Sequence, residues 1–162
     1  LPSGKPGTIQ TLKFMRSLVR EFKKHPIVRN ITLQLIADLP QKDFAGEVDA
    51  IFDFVQNDIR YVKDTAGVET VQTPLKTLEL AAGDCDDKTT LLNAMLEAIG
   101  FPTRFVAIGP LKNYFSHVYA DVLLDGDWLS LETTEPWPLG KSPRSYASRI
   151  IVYNSGNERA KL

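Results

Sequence analysis

The sequence predicts an α+β fold in which N-terminal helices precede a core helix packed on a small antiparallel β-sheet. Three observations carry this reading. Apolar residues recur at helical spacing through residues 9–59. Gly83-Asp84 then introduces a further helix with its own apolar stripe. Beyond it, alternating runs on either side of Asp125-Gly126 mark a hairpin with a two-residue turn.

The helices follow in order. Ile9, Leu12, Met15, Leu18, Val19 and Phe22 form one stripe, interrupted by Pro26. Val28, Ile31, Leu35 and Leu39 form a second, ended by Pro40. Phe44, Val48, Ile51, Phe52, Val55 and Ile59 form the third and cleanest. All three read as core-facing surfaces with no cofactor role. A loop is expected at 62–73, then a short helix with Thr73 as N-cap and Pro74 at N1, ending near Ala82. Asp84 is the natural N-cap of the core helix, which places Cys85, Asp86 and Asp87 in its first turn. Leu92, Met95, Leu96 and Ile99 carry its buried stripe up to Gly100. Strands are expected at 103–108, 115–124 and 127–133, with a further one near 149–153 and a polar, frayed tail after it.

Composition sets the bounds. The chain has 162 residues, 43% hydrophobic and 24% charged, which fits a single soluble domain over 1–162. Within it, 1–42 reads as a helical extension, 43–134 as the core and 135–162 as a C-terminal segment. A net charge of −1 gives no electrostatic footprint for nucleic acid or an anionic membrane. No apolar run approaches the ~18 residues of a membrane span. One cysteine cannot form an internal disulfide, so the fold needs no oxidising compartment. The start LPSGKPG shows neither an initiating Met nor a signal-peptide core. A cytoplasmic location is the expectation, with export or virion association left open.

The chemistry centres on Cys85. A thiol in the first turn of a helix meets unpaired N–H groups and a macrodipole that favour its nucleophilic thiolate form. Asp84, Asp86 and Asp87 oppose this, because like charge disfavours the thiolate. A cationic partner is therefore needed, and an imidazolium fits. The three aspartates suit capping better than a metal, since consecutive helical carboxylates splay about the axis. Of the two histidines, His25 sits in a Lys-rich stretch and reads as a solvated helix end. His117 lies in the hairpin. The turn sets Leu124 opposite Asp127 and Tyr119 opposite Glu132, so His117 and Glu132 become diagonal neighbours on one face. Asp127 falls on the other face, and Asp121 lies four residues along from His117. The opposite face, with Val118, Ala120 and Val122, is more apolar than the His117 face. Either the His117 end of the strand meets the core helix at the rim, or a bulge shifts the register; the unshifted register is preferred.

The runs TPLKTLELAAGDCDDKTTLLNAMLEAIGFPTRFVAIG and HVYADVLLDGDWLSLETT resemble the transglutaminase-like superfamily of papain-fold cysteine enzymes. The likeness covers about residues 48–134, and its GDCDD variant is similar to bacterial and phage-encoded members. It implies a papain-like core, Cys85 as nucleophile, His117 as base and Glu132 as the third member, where the family commonly has Asp. It also implies acyl transfer through a thioester, with a protein or peptide substrate and neither cofactor nor metal. A backbone N–H at the helix start and a polar side chain would stabilise the oxyanion; Gln72, Asn57 and Tyr61 are candidates, and Gln72 is favoured as nearest in the approach to Cys85. Hydrolysis is expected over transamidation, since aromatic walls that exclude water are not evident beyond Trp128. A true transglutaminase, or a non-catalytic binding or structural module, are the alternatives.

Overall fold

The computed structural model describes residues 1–63 and 70–154. Two expectations fall partly or wholly outside them, the loop at 62–73 and the frayed tail. Helices α1 (Lys5–Phe22), α2 (Pro26–Ile36) and α3 (Phe44–Asp53) are followed by a π-helical turn, Phe54–Asp58. Then come β1 (Arg60–Tyr61), α4 (Pro74–Leu80), β2 (Ala82–Gly83) and α5 (Cys85–Ala98). Strands β3 (Thr103–Gly109), β4 (His117–Leu124), β5 (Asp127–Leu131) and β6 (Ser148–Tyr153) form one antiparallel sheet in the order β5-β4-β3-β6. The α+β architecture is thus the one the periodicities predict.

The third apolar stripe runs to Ile59, but its last turn is π-helical, and the chain turns extended at Ile59. Strands β1 and β2 then pair in parallel, with Tyr61 opposite Gly83. This short pair brings Tyr61 alongside the start of α5. Gly83 is required there, because a Cβ would lie 2.6 Å from the Asp87 Cβ.

All fourteen residues of α5 are buried, its polar ones included. The sequence suggests an amphipathic helix; the structure encloses it on every side. Leu91, Leu92, Ala94, Met95 and Leu96 share a core with Val48, Ile51, Ala120, Val122 and Leu131. Several of the polar positions are satisfied internally, whereas the Asn93 amide is buried with no hydrogen-bond partner among the described residues. Glu97 accepts from the Thr103 N–H at 2.6 Å and hydroxyl at 3.0 Å, and the Thr90 hydroxyl donates to the Asp86 carbonyl. Helix α1 is no appendage: Leu12, Met15 and Val19 pack in one cluster with Cys85, Phe105 and Val118. Burial of this kind is worth ~1.5–3 kcal/mol per large apolar side chain, so residues 5–22 hold the wall behind the cysteine.

The hairpin keeps the unshifted register, with Leu124 opposite Asp127 and Ala120 opposite Leu131. The apolar face of β4 lies on α5. The other face, which carries Tyr119 and Asp121, is covered differently. Arg104 pairs with Asp121 at 2.7 Å and stacks 4.3 Å over Trp128, and Tyr119 packs with Val106 and Ile108.

Candidate active site

Asp84 caps α5 as the sequence requires. Its carboxylate accepts from the Asp87 N–H at 3.0 Å, and the Asp87 carboxylate accepts from the Asp84 N–H at 3.1 Å, a reciprocal capping box. Asp87 also accepts from the Gln72 N–H at 2.7 Å, which ties the approach segment to the helix start. Two of the three aspartates are therefore occupied with building the first turn, and no group of ligating side chains suited to a metal occurs among the described residues.

Cys85 follows at N1 and is 9% exposed. Burial pushes its thiol well above the ordinary range, and the carboxylates of Asp86 and then Asp84 push the same way; the Val118 N–H acts in the opposite sense. The thiol donates to Asp86 Oδ1 at 3.6 Å. The helix start alone would favour a thiolate, but here desolvation outweighs it. The resting nucleophile is a neutral thiol.

The Val118 N–H belongs to the His117–Val118 peptide, so the thiol lies against the first residue pair of β4. A second tie fixes this contact, since the Thr89 hydroxyl donates to the Val118 carbonyl at 3.5 Å. His117 thus sits on the sheet face away from α5, but at the strand's end, where the rim meets Cys85. Its Nε2 lies 2.5 Å from Glu132 Oε2. A carboxylate only accepts, so the Nε2 proton points at Glu132 and the Nδ1 lone pair is left for a partner. Glu132, 1% exposed, is held in turn by Thr134, whose N–H and hydroxyl donate to Oε1 at 3.1 and 2.8 Å. Asp121 is committed to Arg104 and Ser130 instead.

Gln72, the favoured oxyanion donor, has its side chain engaged elsewhere in this structure. Its side-chain amide donates to the Thr77 hydroxyl at 3.3 Å and the Ala82 carbonyl at 3.1 Å, which pins the loop to α4 and β2. Asn57 points its amide at Asp53, at 2.7 Å. Tyr61 is the candidate that faces the site: it lines a cavity of about 220 Å³ with His117, Glu132 and Trp137. His25 is no C-terminal residue; it caps the start of α2, its Nδ1 accepting from the Ile27 N–H at 3.2 Å, and stacks on Phe22. Trp128 lies under Arg104 on the far side of the sheet, and the aromatic walls beside His117 are Tyr61 and Trp137.

Sequence reasoning missed Lys88. It is 1% exposed, and its ammonium donates to the Gln56 carbonyl at 3.2 Å. Burial lowers its pKa to about 8, with Glu132 pulling in the opposite direction. A lysine in the first turn of a helix runs against the macrodipole, and that was the signal available.

A model of the transglutaminase-like superfamily matches residues 33–133. No curated protein matches the chain. Among solved structures, a proposed protease from Parabacteroides distasonis superposes with a TM-score of 0.62 at 19% identity, over 88% of this chain and 29% of that one. A proposed cysteine protease from Cytophaga hutchinsonii gives 0.55 at 16% identity, over 80% of this chain and 52% of that one. A Rad4/XPC nucleotide excision repair complex gives 0.55 at 11% identity, over 94% and 49%. At these identities the likeness is one of fold. The chain spans about 29% of the first of these proteins and 52% of the second.

Proposed function

The chain belongs to the transglutaminase-like superfamily, and from that premise we propose that it is a cysteine-dependent acyl-transfer enzyme acting on peptide or glutamine-type amides. The observation that supports this best is the His117–Glu132 pair, 2.5 Å apart at the rim where the Val118 N–H meets the Cys85 thiol. Fold likeness cannot carry it, since the same fold is found in a DNA-repair complex.

The mechanism follows from the neutral thiol. Cys85 Sγ attacks the amide carbonyl as its proton passes to His117 Nδ1, while Glu132 holds the Nε2 proton and stabilises the imidazolium. The oxyanion forms beside the orphan Cys85 N–H at the helix start, with the Tyr61 phenol as second donor; such a donor is worth ~2.7–4 kcal/mol. The imidazolium then protonates the leaving amine, the C–N bond breaks, and a thioester remains on Cys85. Water resolves the thioester with His117 as base, giving a protease or amidase.

A second reading has an observation in its favour. Tyr61 and Trp137 flank the cavity at His117, and aromatic walls of this kind would let an amine compete with water. Cys85→Ala tests the proposal as a whole: it should abolish turnover of a glutamine-containing peptide and leave the thermal unfolding transition in place. Turnover that survives the substitution would overturn the reading. A labelled primary amine in the same assay measures the partition, and incorporation exceeding hydrolysis at millimolar amine assigns the transferase.

A further inference from the structure

The cavity beside His117 does not end at Glu132. Tyr61, Thr134 and Glu135 also line a second cavity of about 420 Å³, so the two adjoin along a shared wall. The lining of the second includes Lys88 and Thr133 among residues that are almost fully enclosed, at 1% and 3% exposure. An ammonium carries three donors, and the one hydrogen bond made by Lys88 among the described residues is to the Gln56 carbonyl. The Thr133 hydroxyl is buried with no hydrogen-bond partner among the described residues. A buried hydroxyl or ammonium with unused donors costs free energy unless something accepts from it.

Charge is distributed along this cleft in a particular way. Arg60 and Glu135, both exposed, are the charged residues of its outer lining. Lys88 stands deeper, where water is scarcer and a charge-assisted hydrogen bond counts for more. Glu132 interacts with it electrostatically, and the titratable groups that line the same cavity are Arg60, Tyr61 and Glu135. Glu132 is already shared by His117 and Thr134, and Asp84 and Asp87 are spent on the capping box.

Direction matters as well. His117 gives its proton to the departing amine, so the amine fragment leaves through the cleft beside it. A separate cavity of about 440 Å³, lined by Gln10, Phe14, Val71 and Asp86, is left for the acyl fragment. We propose that the cleft running from His117 to Lys88 is a subsite for a carboxylate carried by the amine fragment, with Lys88 and Thr133 as its donors and Arg60 in its outer lining. The substrate class is then a peptide whose scissile amide is followed by an acidic side chain or by a free C-terminus. The assignment of the amine side rests on the acyl-transfer reading above. Because the Lys88 ammonium is lost above about pH 8, binding should weaken as pH rises through that value.

The test is a titration of Cys85→Ala protein, followed by ¹⁵N chemical shifts, with three probes. Glycylglycine carries a C-terminal carboxylate, glycyl-glutamate amide carries a side-chain carboxylate, and glycyl-glutamine amide carries none. One of the first two should give saturable shifts at Lys88, Thr133 and Thr134 at pH 7, weakened at least about tenfold at pH 9.5, and the third should give none. Which of the two binds distinguishes a free C-terminus from an acidic side chain. Lys88→Met should abolish the shifts. If that variant fails to fold, the charged and neutral probes on the Cys85→Ala protein decide alone. Equal binding of all three, or none at any pH, overturns the subsite. Carboxylate binding in a wild-type chain that never acylates would instead overturn the acyl-transfer reading and leave the pocket standing.

Discussion

Asp86→Asn should release the nucleophile. The Asp86 carboxylate accepts from the thiol at 3.6 Å in a residue only 5% exposed, and it is the larger of the two charges that push the thiol upward. Two unit charges at that separation repel by about 4–5 kcal/mol at an effective dielectric of ~20. Even a third of that moves the thiol midpoint down by about one pH unit, since a unit corresponds to ~1.4 kcal/mol. Below the midpoint the thiolate fraction at fixed pH should then rise about tenfold. Alkylation by iodoacetamide reports thiolate directly and needs no substrate. The pseudo-first-order rate, followed against pH between 6 and 10 in both proteins, should show the variant's midpoint displaced to lower pH. Burial, the first cause of the shift, is untouched, so the variant should still lie above an unperturbed thiol. A midpoint that stays put or moves up would refute the electrostatic account of the resting thiol.

Three further outcomes follow from the same geometry. Glu132→Gln keeps the Thr134 bonds to Oε1 but presents an amide N–H to His117 Nε2, forcing the imidazole proton onto Nδ1; amide turnover should fall about 10³- to 10⁴-fold, and a loss under tenfold would contradict the assigned tautomer. Lys88 has a folded pKa of about 8 against an ordinary 10.5, so the folded state sheds this proton first and the Lys88 contribution to stability rises with pH between those values. Urea melts at pH 7 and 9.5 should therefore show Lys88→Met gaining least, relative to wild type, at the higher pH. Gln72→Leu removes two structural hydrogen bonds and should cost about 1–2 kcal/mol of stability while leaving kcat within twofold, because its amide is not at the reacting carbonyl.

What the sequence disclosed and what it withheld divide along physical lines. Local rules located the helix starts at Asp84 and Thr73, and the Asp125-Gly126 turn set a register that carried Glu132 to His117. These signals depend on neighbours in the chain, so they survive without coordinates. The differences lie where distant segments meet. His25 was read from its lysine neighbours, but the start of α2 captures its ring. Gln72 was placed by proximity in sequence, and Thr77 and Ala82 claim its amide. The enclosure of α5 was invisible because only Leu92, Met95, Leu96 and Ile99 signal a buried stripe in the sequence; the α1 wall and the β-sheet, brought together from both ends of the chain, remove the rest of the helix from water.

That enclosure also bears on how the nucleophile works. A thiol at a helix start would ordinarily gain from the macrodipole, but the acidic residues that cap and lock this helix cancel that gain. Asp84 and Asp87 are needed to stop the first turn from fraying and to hold Gln72, and Asp86 takes the thiol proton's hydrogen bond. The charge separation that other environments establish in advance must here be made at the moment of attack. It falls to His117, and the carboxylate that receives its Nε2 proton is correspondingly close, buried and anchored at its second oxygen by Thr134. Lys88 adds a buried cation that interacts with the same carboxylate. A neutral resting thiol is slow to meet oxidants or adventitious electrophiles. Selectivity then rests on a substrate that seats in the cleft and brings its carbonyl to the sulfur while His117 is in line to take the proton.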